Sequence, residues 1–423
     1  MTLAIINGHV INPADNTSAQ RDVLVADGRI QEIGNGLRGD ETIDAAGCVV
    51  APGLVDIHCH FREPGYESKE TIASGSRAAA KGGFTSVVTM ANTSPPIDNA
   101  GLVELVIKRA REEACIRVYP AACATKGMQS EEITEMADLK EAGAIAVTDD
   151  GHDIPSSRVL RRALEYANMV DIPFLSHCED EELSEGGLIN EGYTATLMGL
   201  PGVPKAAEEV RIDRNIRLAE LAGAHIHIQH VSTAAGVAIV REAKRRGARV
   251  TAESAPHYFC LTDEAVSGFN TNAKMNPPLR EPEDVQAVVE GFKDGTLDCI
   301  ATDHAPHTFT EKGVEFALAP FGIIGLETSL ALTLTHLVGP GHISLEEAVR
   351  LLTLGGARVC NIPNAGTLAS GAPADIVVFD PKATWTVEKN GFASKSSNSP
   401  FISHTLQGRV RYTLCGGQTV YSG

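Results

Sequence analysis

Positive charge is scarce in this chain of 423 residues: 36 Lys and Arg stand against 54 Asp and Glu, a formal net charge of -18. So anionic a surface repels nucleic acid and anionic membrane, which leaves a small molecule as the default ligand. Long apolar runs are missing too. No stretch approaches the roughly 20 residues of a membrane span, and Met1-Thr2-Leu3-Ala4-Ile5-Ile6-Asn7-Gly8 has neither a basic run nor a long apolar segment. Nothing here points to export. The nine cysteines, Cys48, Cys59, Cys115, Cys123, Cys178, Cys260, Cys299, Cys360 and Cys415, include no C-x-x-C pair and are odd in number. That usage suits reduced thiols packed as small apolar groups in a cytoplasmic protein. At 43% hydrophobic and 21% charged residues, the remainder is ordinary globular material, long enough for a large core and a smaller second one.

Between Pro52 and about residue 360, short β-branched runs alternate with Ala/Glu/Lys/Arg-rich stretches of helical period. The runs predict strands over 54–60, 84–90, 116–123, 144–148, 172–177, 225–230, 249–253 and 298–302, with helices near 69–81, 101–113, 130–142, 156–169, 207–222, 234–246 and 283–293. Eight strands alternating with helices is the pattern of an α/β fold, a parallel (β/α)8 TIM-like barrel, whose reactive groups gather at the carboxyl ends of the strands. The flanks break the rhythm. Short strands in the first 51 residues are interrupted by Asn7-Gly8, Asp27-Gly28 and Asn35-Gly36, and the style resumes at 374–380, 385–387 and 409–421. Neither flank can bury a core alone. The expectation is a small β-sandwich domain built from both chain ends, residues 1–51 and 363–423, beside a barrel of residues 52–362. Residues 391–400, rich in Ser, Asn and Lys, read as a mobile loop.

The chemistry concentrates at the predicted strand ends. In Asp56-Ile57-His58-Cys59-His60-Phe61-Arg62 the alternation of a strand puts His58 and His60 on one face, so that two imidazoles meet one point. On a helix that spacing would separate them. Asp149-Asp150 follow the fourth strand, His177 ends the fifth, His230 ends the sixth and Asp303 follows the eighth. Most of the other histidines have no such placement. Four histidines and two carboxylates exceed the three protein ligands of a catalytic zinc, so two metals fit better. His58, His60 and Asp303 would hold one ion and His177 and His230 the other, with a carboxylate and a hydroxide between them. Chemistry alone leaves the choice between Asp149 and Asp150 open. Two divalent cations, two aspartates and a hydroxide leave about one positive charge in the pocket, to which Arg62 adds another, so an anionic substrate is drawn in.

The ordered set of motifs resembles a known family: His58-Cys59-His60-Phe61-Arg62, Met90-Ala91-Asn92-Thr93, Thr148-Asp149-Asp150-Gly151, His177-Cys178-Glu179-Asp180, Gln229-His230-Val231-Ser232, Lys274-Met275-Asn276-Pro277-Pro278-Leu279-Arg280 and Thr302-Asp303-His304-Ala305-Pro306-His307. It is similar to the class I, bacterial-type dihydroorotases of the amidohydrolase superfamily, over nearly the whole chain. The resemblance implies zinc-dependent, reversible cyclisation of N-carbamoyl-L-aspartate to (S)-dihydroorotate in pyrimidine synthesis. It selects Asp150 as the bridge between two Zn2+ ions, makes Asp303 the general acid and base, and gives the ligands as His58, His60, Asp150, His177, His230 and Asp303. His60, Arg62, Asn92 and His307 match positions that bind the substrate, and Asn276 and the backbone of Phe321 and Gly322 match positions near the ring. The partner implied is a small anionic substrate, with a homodimer and an optional association with aspartate transcarbamoylase.

Outside that context Asn92 and Asn276 are ordinary turn residues. His257 reads as packing, and Cys59 and Cys178, whose side chains alternate away from the neighbouring ligands, as core. Two rival readings are a hydantoinase, dihydropyrimidinase or allantoinase, and a non-catalytic dihydroorotase-like partner of aspartate transcarbamoylase. The first group usually bridges its metals with a carboxylated lysine and lacks an arginine two residues past the histidine pair. The second typically loses ligands, and all six are present here.

Overall fold

The computed structural model describes residues 2–423. Among these, eight strands hydrogen-bond side by side in chain order, all parallel: Leu54–Cys59, Phe84–Thr89, Arg117–Cys123, Ala146–Thr148, Phe174–Ser176, Ile226–Ile228, Val250–Ser254 and Cys299–Ile300. Both faces of such strands are covered, which is why they read as continuous apolar runs. The ring closes between the last strand and the first through His304, which is bridged to Cys59 and whose carbonyl accepts from His60 N at 2.9 Å. Asp56 fastens the same seam. Its carboxylate, wholly buried, accepts from Thr302 N at 2.9 Å and Thr302 Oγ1 at 2.5 Å, and burial raises its pKa to about 7. Inside the ring, Val55, Ile57, Val88, Ala121, Ala146, Leu175 and Cys299 pack against Ala357, Val359, Cys360 and Ile362 from the end of the barrel segment.

The helices lie outside with apolar stripes inward. Ser157–Met169 shows the logic: Ser156 caps its first turn by accepting from Val159 N, and Leu160, Ala163, Leu164 and Ala167, spaced at helical intervals, are the buried face. The seven predicted helices are all present, within six residues at each end. The chain between the fifth strand and the long helix Ala206–Ala222 holds more than the sequence pattern indicated. Two short helices and the two-stranded pair Ile189–Asn190 and Gly202–Val203 form an outlying layer, with a core of Ile189, Ala195, Tyr258, Met275, Leu279, Phe316 and Ile323.

Both chain ends meet in a second sheet of eight strands, which runs from Gln418–Ser422 through Thr405–Cys415, Ile376–Thr386, Val49–Pro52 and Thr2–Asn12 to Thr17–Ala26 and Arg29–Gly34, with Glu41–Asp44 also on Thr2–Asn12. Its hydrogen bonds are continuous, and its core (Ile5, Val10, Val23, Val25, Val50, Leu368, Ile376, Leu414) is separate from the barrel's. One turn expected here is absent. Asn7-Gly8 lies inside the strand Thr2–Asn12 at a register shift between Ile5 and Gly8, a bulge rather than a break, because an added Cβ at Gly8 would sit 2.4 Å from Val50. Residues 391–400 also differ from expectation. Ser394, Ser396, Asn398 and Ser399 are buried, since their hydroxyl and amide groups find partners on the barrel, among them Glu70, Lys69 O and Ala305 O. The polar composition serves hydrogen bonding inside the protein, not solvation. No helix among the described residues is long and apolar enough to cross a membrane.

Candidate active site

The six residues expected as ligands converge at the carboxyl ends of the barrel strands, all buried. Their ligand atoms form two groups of three, each close enough to share one ion: His58, His60 and Asp303, and Asp150, His177 and His230. Asp150 lies between them. Its Oδ1 is 3.2 Å from His58 Nε2 and 3.8 Å from both His177 Nδ1 and His230 Nε2, and its Oδ2 is 3.5 Å from His60 Nε2. Asp149, the alternative, is turned away and spent on Ala124 N, Thr125 N and Thr125 Oγ1. Asp303 Oδ1 lies 3.1 Å from His60 Nε2 and 3.5 Å from His58 Nε2. Backbone strain marks the place: Arg62, His230 and Asp303 have φ of 60°, 37° and 44°, a region that costs non-glycine residues about 1–3 kcal/mol each.

Electrostatics follow from this crowding. Burial would raise Asp150 and Asp303, yet the imidazoles, His58 foremost, hold both carboxyls well below the usual range. Burial would lower His58, but Asp150, Asp303 and Glu253 raise it well above the ordinary imidazole. His230, buried and facing His177 and His58, falls to about 3. Two features of the set are unfinished: His58 Nε2 and Asp150 Oδ1 have no hydrogen-bond partner, and the ring nitrogens of His177 and His230 approach to 2.8 Å. A buried set of imidazole and carboxylate donors converging in this way fits a cation.

Three of the four histidines are oriented by their other nitrogen. His58 Nδ1 meets Glu253 Oε1 at 2.7 Å, and Glu253 in turn meets His227 Nε2 at 3.1 Å. Burial would raise Glu253, but His58 and His227 bring it to about 2. His177 Nε2 meets Glu179 Oε2 at 3.0 Å, and Asn276 Nδ2 donates to the same oxygen at 2.8 Å. His60 Nδ1 meets Asn92 Oδ1 at 2.9 Å, while Asn92 Nδ2 donates to Asp150 O at 3.1 Å. A carboxylate or amide oxygen on one nitrogen fixes the tautomer and leaves the other as a ligand. Asn92 and Asn276, expected beside the substrate, are thus engaged in holding His60 and the Glu179–His177 pair.

Arg62 and His307 face each other, with Nη2 and Nε2 3.4 Å apart. His307 Nε2 donates to Phe321 O at 2.8 Å, so it carries the proton and has no lone pair for Arg62. Burial, then Arg62 and Lys312, lower this imidazole to about 2, which keeps it neutral. Arg62 Nε donates to Pro306 O at 3.3 Å, and the rest of its fork remains for an anion. Gly322, at φ 141°, must be glycine: a Cβ there would lie 2.8 Å from Ala305 O and 2.9 Å from the His307 ring. His257 is buried directly after the seventh strand, its ring 4.2 Å from that of Tyr258 and its Nε2 unpartnered. Cys59 and Cys178 are buried, with thiols on Val88 O and beside Ser176.

Three further residues support the site. Glu253 and Glu179 carried a legible signal, an acid at a buried strand's end and one two residues past a ligand. Asn398 carried none. From the far end of the chain its Oδ1 accepts from His307 N at 3.1 Å, and its Nδ2 donates to Ala305 O at 2.9 Å and Gly322 O at 3.0 Å. Asn398→Ala should leave all three groups buried and unpaired, and lower unfolding stability by about 2–4 kcal/mol in a denaturant titration.

The chain is similar to known proteins along its whole length. The family model described as Dihydro-orotase-like matches residues 47–235, and that of the Amidohydrolase family matches 283–421. A dihydroorotase of Syntrophus aciditrophicus is 51% identical, covering 100% of this chain and 99% of the relative, and one of Pelobacter propionicus is 51% identical with 100% of both covered. Among solved structures, the L-hydantoinase (dihydropyrimidinase) of Arthrobacter aurescens superposes with a TM-score of 0.90 at 25% identity, covering 99% of this chain and 96% of that one. The dihydropyrimidinase of Brevibacillus agri follows at 0.88 and 26%, covering 100% and 95%. A barrel mouth that gathers four histidines and two aspartates, in a chain half identical to such relatives along its whole length, places this protein in the dihydroorotase family of the amidohydrolase superfamily.

Proposed function

We propose that the chain interconverts N-carbamoyl-L-aspartate and (S)-dihydroorotate with two zinc ions, one on His58, His60 and Asp303, the other on His177 and His230, and Asp150 shared between them. The observation that carries this reading is the pair of converging triads with Asp150 at their junction. The residues fit the group. Imidazole and carboxylate donors suit zinc, and the unpartnered His58 Nε2 and Asp150 Oδ1 face the space where an ion would satisfy both. Bound there, divalent zinc supplies a Lewis acid for an amide carbonyl and lowers the pKa of water towards neutrality.

The chain's own residues supply the rest. Asp303, held ionised by His58 and His60, is the proton acceptor from the attacking water, and returns that proton to the ring nitrogen that leaves. In the synthetic direction the same carboxyl runs in reverse. Arg62 receives the substrate carboxylate in its free fork, and neutral His307 stands beside it. Glu253, Glu179 and Asn92 keep three imidazoles aimed inward. The thiols, all free, fit a reducing cytoplasm. Exposed Tyr193 and Leu197 give apolar surface for a second copy in a homodimer.

Arg62→Met should raise KM for dihydroorotate about 100-fold and leave hydrolysis of uncharged hydantoin nearly unchanged, since a charge-assisted pair contributes about 1.5–3 kcal/mol. Steady-state kinetics on both substrates checks it. The hydantoinase alternative has the structural neighbours in its favour; against it stand Asp150, rather than a lysine, within 3.8 Å of His58, His177 and His230, and Arg62 two residues past His60. Purified protein assayed with dihydroorotate, hydantoin and allantoin side by side decides between them. Turnover of dihydroorotate at least about 100-fold above the others is the expected result; preference for hydantoin or allantoin overturns it.

A further inference from the structure

Two lysines next to the active site are buried without an acid. Lys274 is 1% exposed and Lys312 5%, and among the described residues neither has a carboxylate within 4.0 Å. Glu311, the acid adjacent in sequence, pairs with Lys69 instead, at 2.8 Å. Backbone carbonyls take the place of a counter-ion. Lys274 Nζ donates to Phe316 O at 2.7 Å, Ala317 O at 3.2 Å and Ala319 O at 2.7 Å, and stands 4.7 Å from the centre of the Phe321 ring. Lys312 Nζ donates to Thr271 O at 3.0 Å, Lys274 O at 3.4 Å and Pro320 O at 2.7 Å. Each ammonium thereby places all three of its donors.

The carbonyls belong to a stretch with little regular structure. After the single helical turn Phe309–Lys312, residues 313–321 have no helix or strand of their own, and four of their carbonyls, those of Phe316, Ala317, Ala319 and Pro320, accept from the two ammonium groups. An uncompensated buried charge is costly: burial lowers Lys274 to about 8, and burial, then the neighbouring Lys274 and Arg62, lower Lys312 to about 7. The stretch ends on Phe321, whose carbonyl holds His307, and Gly322, whose N–H donates to Lys274 O at 2.9 Å. Resting on the function proposed above, we infer that Lys274 and Lys312 are positioning residues, a carbonyl-caged pair of buried cations around which residues 313–321 fold so that Phe321, Gly322 and His307 meet a carboxylate-bearing substrate. They touch neither the reacting atoms nor the zinc ligands. The charge of Lys312 also adds to the positive field at His307, on which Arg62 acts as well.

The test uses Lys274→Met and Lys312→Met in the full chain, with hydrogen exchange of the peptide spanning 309–322 and steady-state kinetics. Expected is exchange at least about tenfold faster in that peptide with the barrel strands unchanged, and KM for dihydroorotate raised about tenfold or more with kcat within about threefold. Unchanged exchange together with unchanged KM, or equal losses in kcat and KM, overturns the inference. If neither variant folds, the wild-type chain answers: the hydrogen-bonded N–H groups of Leu318, Ala319 and Gly322 should exchange at least about tenfold more slowly than those of an unstructured peptide, although no helix or strand holds them. Exchange as fast as that of exposed turns would overturn the inference. Because exchange needs no substrate, this result stands apart from failure of the proposed reaction, which would show as wild-type protein inert toward dihydroorotate.

Discussion

Asp303→Asn should reduce turnover about 1,000-fold or more while leaving the fold intact, because a general acid and base contributes about 100- to 10,000-fold and an amide can do neither job. Asparagine is the right probe for a structural reason. Asp303 sits at φ 44°, a conformation that asparagine tolerates better than most residues, so the backbone turn should survive the change. The amide oxygen can still approach His60, which Asp303 Oδ1 meets at 3.1 Å. Lost are the negative charge and the exchangeable proton. Steady-state kcat beside a thermal melt separates the two effects: kcat should collapse with little change in Tm. A variant within about tenfold of the wild-type rate would remove Asp303 from proton transfer.

Asp150→Ala should have an effect as large by a different route. This carboxylate lies within 4 Å of a nitrogen from each of the four ligand histidines, and it alone joins the two triads. Its removal deprives His58 of the first of the acids that raise its pKa, and opens both triads at once. Loss of even a supporting residue around a metal commonly costs about 10- to 100-fold in metal affinity, so loss of a shared ligand should cost more than 100-fold. Metal analysis of the purified variant should find at most one zinc per chain, and turnover at background. Two retained equivalents would show that Asp150 does not bridge.

Much of this was legible before any coordinates. Short, continuous runs of β-branched residues gave eight strands because strands buried on both faces have to be apolar throughout, and a His or Asp that ends such a run stands at the mouth. Chemistry left Asp149 and Asp150 undecided, and the resemblance named Asp150; in the structure Asp149 turns to Thr125 while Asp150 faces the histidines. What stayed hidden depends on contacts between distant parts of the chain. The stretch 391–400 looked mobile because Ser, Asn and Lys are solvated in most loops. Here Asn398 is buried against Ala305, His307 and Gly322, which no local pattern encodes. Asn7-Gly8 has the composition of a turn and the position of a bulge, a choice made by the close approach of Val50. Lys274 and Lys312 have the composition of a surface and the burial of a core, because the carbonyls that receive them come from a loop some forty residues away for one and from segments on either side for the other.

The most direct measurement is zinc content and dihydroorotate turnover on one sample, before chelation, after it, and during stepwise return of zinc. Two equivalents per chain in the active protein, turnover lost with the metal and regained as the second equivalent binds, is the outcome required by two triads joined through Asp150. Full turnover in metal-free protein would contradict it.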